Sequence, residues 1–171
     1  ILVMARVLDL PGFGTFSAGL LISSTFCMLG CLGLQSMLQR DMPVMLLRRR
    51  YRAAVILLTQ CVMVALLCAM LGALASGFVV TVGGLPSLIL AAGVVHGLSQ
   101  QIFLLVTVES RSRGDPVAYA FQNFWRSLLV LCIGWVVTSQ TGSAAWVLTA
   151  EAAVSLVLSY AIVVQSLRRV S

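Results

Sequence analysis

Long apolar stretches separated by short polar islands run the length of the chain. Predominantly apolar runs occupy residues 15–38, 53–80, 85–108, 117–139 and 143–165. Each is close to the ~20 residues a helix needs to cross the hydrocarbon of a bilayer. In lipid every backbone amide must pair within its own segment, so runs of this length fold as helices. The pattern predicts an all-α integral membrane protein with five complete crossings. Residues 1–8 read as the tail of a further, truncated crossing, giving six antiparallel transmembrane helices.

The separators carry turn and cap chemistry. Asp9, Pro11, Gly12 and Gly14 predict a turn before the first complete span, and GGLP, ESRSRGDP and QTG divide the later ones. Pro86 and Pro116 fall where a first helical turn tolerates a missing amide proton. Residues 40–52, RDMPVMLLRRRYR, mix basic and apolar positions and read as a basic amphipathic loop at the membrane interface. Ser17, Gly19, Ser23, Ser24, Gly30, Cys31 and Gly33 supply small side chains that let a neighbouring helix approach closely.

Composition agrees with this pattern and narrows the class. The chain is 60% apolar and 9% charged, with a mean hydropathy of +1.06. A cytosolic enzyme, a disordered chain and a coiled coil are all excluded. All eleven basic residues are Arg, against five acids. Nine of them cluster as Arg40, Arg48, Arg49, Arg50 and Arg52, then Arg111 and Arg113, then Arg168 and Arg169. If each span reverses the side, these three islands share one side, and the opposite loops at Gly12, Gly83 and Gly142 carry only Arg6. The asymmetry places the islands in the cytoplasm and in contact with membrane lipids, anionic ones included. It does not describe a nucleic-acid surface. Cys27, Cys31, Cys61, Cys68 and Cys132 lack CxxC spacing and read as reduced packing residues.

Three ionisable residues lie inside spans: His96, Arg126 and Glu151. At 1.5 Å per residue, His96 and Arg126 are about 15 Å along their helices and Glu151 about 12 Å, so all three sit near the midplane. Tyr119, Gln122 and Asn123 share an arc of about 100° with Arg126, and Ser99, Gln100, Phe103 and Thr107 share a stripe with His96. Two polar stripes at one depth predict a shared wet cavity. Against it stands a plainer possibility, in which Arg126 and Glu151 neutralise each other and His96 only hydrogen-bonds between helices. Gln35 and Gln60 read as interhelical ties. No catalytic motif, cofactor loop or multi-His metal site is present, so the chain reads as a non-enzyme that moves or holds something.

The segment ARVLDLPGFGTF, running on to CMLGCLGLQSMLQR, resembles the start of bacterial polysaccharide and O-antigen flippases through Ala5, Arg6, Leu8, Phe13 and Gly14, then Leu32, Gly33, Leu34, Leu38 and Arg40. RSRGDPVAYAFQNFWRSLL is similar to that family's entry into its fifth helix. The resemblance implies a multi-pass protein of the bacterial inner membrane, the amino-terminal lobe of a two-lobe transporter in the multidrug, oligosaccharidyl-lipid and polysaccharide exporter superfamily. It further implies an undecaprenyl-diphosphate-linked glycan as substrate, with Arg126 on the phosphates. Asn123, Gln122, Tyr119, His96, Gln100 and Ser99 would then line the path, and Glu151 would serve as charge partner or coupling group. The second lobe would be a missing segment or a second copy. The competing expectations are a noncatalytic membrane scaffold or accessory subunit, and a distant multidrug exporter, whose acidic cavity a midplane Arg opposes.

Overall fold

The structure, a computed structural model, describes residues 9–31, 33–83, 87–112 and 114–168. They form six helices: α1 Leu10–Cys31, α2 Leu34–Leu47, α3 Tyr51–Gly83, α4 Ser87–Ser112, α5 Pro116–Thr141 and α6 Ala144–Arg168. All except α2 are long and apolar enough to cross a membrane. The expected truncated crossing at 1–8 and the capping role of Pro86 lie outside the described residues.

Two boundaries differ from the hydropathy pattern. Asp9 does not open a loop turn but starts α1: its carboxylate accepts the Gly12 N–H at 3.1 Å, and its carbonyl accepts from Phe13 at 2.9 Å. Pro11, Gly12 and Gly14 therefore lie within the first turns of the helix, where proline forfeits no intrahelical bond. The apolar run 15–38 is not one rod either. Gly33 takes φ 79°, a left-handed conformation suited to glycine, and the chain begins a new helix there.

That new helix, α2, replaces most of the loop expected over 40–52. Its amphipathic pattern accounts for it: Leu38 and Met42 are buried beside Ala54, Cys61, Ala65, Leu105 and Val108, while Arg40, Val44 and Leu47 face outward. The Arg40 guanidinium beside Asp41, at 2.8 Å, holds that carboxyl below its usual range.

α5 begins with a complete cap. Asp115 accepts the Ala118 N–H at 2.9 Å, and Pro116 follows at the first helical position. Asp115→Ala should cost about 1 kcal/mol of local helix stability. The expected readout is amide exchange at Ala118 and its neighbours several-fold faster than in the parent, with exchange in mid-helix unchanged.

α4 is the axis of the bundle and touches every other helix. Its small residues set the closest approach, with Gly93 against the Gly19 carbonyl and Gly97 against the Ser23 carbonyl. The paired positions advance together, so α1 and α4 run in the same direction. α6 runs the same way beside them: Ile89 shares a cluster with Ala145 and Leu148, and further along Phe103 and Val106 share one with Ile162. α5 lies on the outside, with Phe121, Phe124, Trp125, Leu131 and Trp135 exposed. In a bilayer such a surface is solvated by lipid rather than water.

Candidate functional site

The contact of α1, α4 and α6 brings three polar side chains together in the interior. His96 is buried, with Ser23 Oγ 2.8 Å from its Nδ1 and Glu151 Oε2 3.1 Å from its Nε2. With Glu151 ionised, the ring donates Nε2–H to the carboxylate, and Nδ1 then accepts the Ser23 hydroxyl. One ring proton satisfies both neighbours. Gln100, one turn along α4, places its Nε2 3.3 Å from the same ring nitrogen.

Glu151 opens a polar stripe on α6. Ser155 and Ser159 follow at intervals of four, both buried, and each hydroxyl donates to the carbonyl one turn back, at 3.1 and 2.7 Å. Arg126 reaches this stripe from α5. Its Nε donates to Ser155 Oγ at 3.0 Å, and its guanidinium carbon lies 4.9 Å from the centre of the Phe103 ring on α4. A desolvated cation over an aromatic face gains electrostatic attraction without being neutralised. Glu151, in turn, engages His96 rather than Arg126.

The residues singled out from the sequence thus divide. His96, Gln100, Glu151 and Arg126 converge on one level of the bundle, joined through α6. Ser99 is buried, but its hydroxyl donates to the His96 carbonyl at 2.7 Å, within its own helix. Asn123 likewise donates to the carbonyl of Tyr119 at 2.9 Å, and Tyr119 is half-buried. Gln122 points toward the far end of α4, donating to Ser110 Oγ at 2.9 Å. Of the α5 stripe only Arg126 reaches the polar residues of α6, while Gln122 bonds α4 at another level and Asn123 its own helix. The half-buried Arg126 sits at the edge of the network.

Sequence reasoning missed Ser23 as a partner of His96, and it missed Ser155 and Ser159 altogether. The spacing Glu151, Ser155, Ser159 is a legible signal, since residues four apart share a helix face. Gln101 also escapes notice in the sequence. It is buried with its Nε2 unpartnered among the described residues, as is the Oε1 of Gln122. Among the described residues no cluster of His, Cys, Asp and Glu is arranged to hold a metal. No protein family, curated protein or solved structure matches this chain.

Proposed function

We propose that this chain is one six-helix lobe of a carrier that moves lipid-linked oligosaccharide precursors across the bacterial inner membrane by alternating access, the activity implied by its resemblance to polysaccharide and O-antigen flippases. In this reading the crossings alternate in direction and the Arg-rich loops lie in the cytoplasm. The observation that carries it is the setting of Arg126. Ser155 and Phe103 hold this midspan cation in position, while Glu151 bonds His96 and acts on the guanidinium only through space.

A diphosphate cannot enter hydrocarbon without a compensating charge. A planar guanidinium donates two parallel hydrogen bonds to phosphate oxygens, and a fixed one loses little entropy in doing so. One turn before it on α5, Gln122 keeps a buried carbonyl oxygen free of partners among the described residues, suited to a sugar hydroxyl. Gln100, Asn123 and Tyr119 add polar surface nearby, and Glu151, close enough to act on Arg126 through space, tempers its hold so that substrate is released. The partners are membrane lipids, the glycan and a second lobe.

A scaffold reading draws on the other half of the site, since Ser23, His96 and Glu151 tie three helices together whether or not anything moves. Transport separates the two. Export of lipid-linked glycan in cells should fail for Arg126→Ala, and should fail for Arg126→Ala combined with Glu151→Ala when compared at equal amounts of folded, inserted protein. Arg126→Lys, which keeps the charge and loses the two-pronged geometry, should retain part of the rate. Full transport by the double variant would refute the substrate role.

A further inference from the structure

We propose that α3 pairs with the α3 of a second copy of this chain. The pairing runs along Ile56, Gln60, Met63, Leu67, Met70 and Leu74. The proposal does not depend on the carrier reading, because it needs only that α3 spans the membrane.

These positions follow one another at gaps of four, three, four, three and four residues. That is the heptad spacing of two helices crossing at a shallow angle, with Gln60, Leu67 and Leu74 as one set of core positions and Ile56, Met63 and Met70 as the other. None of them packs inside the bundle: the five apolar members are each more than half exposed, and Gln60 is exposed with them. Its sequence position suggests a tie between helices of this chain, yet Gln60 faces away from all the described ones.

An apolar face alone would be satisfied by lipid, but Gln60 would not. It lies nine residues beyond the start of α3, about 14 Å into the helix. Its amide makes no hydrogen bond among the described residues. The neighbouring Thr59 hydroxyl is already committed to the Val55 carbonyl at 2.9 Å. A primary amide carries two donor hydrogens and an acceptor oxygen, for which hydrocarbon offers nothing.

Symmetry selects the occupant. Copies inserted with the same sidedness, related by a two-fold axis along the membrane normal, bring Gln60 opposite Gln60 at the same depth. Each amide then donates to the oxygen of the other. Any other partner would need a matching polar group at that depth, which a second copy supplies automatically. A shallow, open depression lined by Val55, Ile56, Thr59, Met63 and Val64 lies beside the amide, where opposing side chains would seat. A single polar residue at one such core position fixes register and pairs in dimeric coiled coils.

The test uses the whole chain in lipid bilayers, with dimerisation followed by energy transfer and single-molecule photobleaching as protein is diluted into lipid. The parent should be dimeric at moderate density. Gln60→Leu should weaken the dimer about 3- to 20-fold, the range of interhelical polar contacts in membranes, and Gln60→Asn should retain most of the association. With the exposed Cys132 replaced by Ala, oxidation should link Met63→Cys and Leu67→Cys copies efficiently and Leu131→Cys copies on α5 poorly. A parent that is monomeric at every dilution would overturn the proposal. So would a Gln60→Leu variant that associates as tightly as the parent, or cross-linking no greater at 63 and 67 than at 131.

Discussion

Gly97→Val should detach α1 from α4 and leave little folded protein. A Cβ on Gly97 would stand 2.5 Å from the Ser23 carbonyl oxygen and 3.2 Å from the Phe26 Cβ. The first obstacle is backbone, which cannot rotate aside as a side chain would. Restoring ordinary contact requires α1 to withdraw by about 1 Å, and the bulk beyond the Cβ of valine pushes it further. Overpacking of this kind costs about 1–3 kcal/mol. The withdrawal also breaks the 2.8 Å contact between Ser23 and His96, leaving a buried ring nitrogen unpaired at a further cost of about 1–3 kcal/mol. Gly14→Val, at an exposed α1 position with open space around it, should change little. Thermal unfolding of both variants in detergent, followed by chromatography of the surviving fold, checks the contrast. Equal midpoints would show that the close approach is not needed.

Removing Glu151 should have the second large effect, and its cost should pass through His96 rather than Arg126. Glu151 is buried, with Oε2 on the His96 ring, while Arg126 donates its hydrogen bond to Ser155 one turn away. Glu151→Leu should therefore destabilise the fold by about 2–3 kcal/mol, the scale of a lost hydrogen bond to a charged group in the interior. Pairing it with His96→Phe should recover a large part of that loss. Pairing it with Arg126→Leu should recover less, because that contact is electrostatic and indirect. The double-mutant cycles of the two pairs give the comparison directly. A larger coupling for Arg126 with Glu151 than for His96 with Glu151 would contradict the partner assignment.

Part of the candidate site is legible in the amino-acid sequence alone. His96, Arg126 and Glu151 stand out because ionisable side chains are costly in hydrocarbon, and helical spacing by itself puts Gln100 on the face of His96. A direct pairing of Arg126 with Glu151, suggested by adjacent helices at similar depth, gives way to the contacts His96–Glu151 and Arg126–Ser155. Depth follows from residue count, but partner choice depends on how each helix is rotated about its own axis. Gly93 and Gly97 set that rotation by seating α1 against α4, which brings Ser23 to the ring. Spacing also points Asn123 and Ser99 to the site, yet the amide and the hydroxyl each bond a carbonyl of their own helix, a local alternative always open to such side chains.

The apolar runs are enough to determine that the chain is helical, with several helices long and apolar enough to cross a membrane, because backbone satisfaction in lipid is a local requirement of each segment. The grouping of the arginines is equally plain in the linear order. Only the tertiary structure decided that the run 15–38 breaks at Gly33, that α4 is the axis of the bundle, and that Gln60 faces outward while Glu151 faces in. Hydropathy records how well each segment suits lipid, whereas which polar groups meet is settled by close packing, through contacts between residues far apart in the chain.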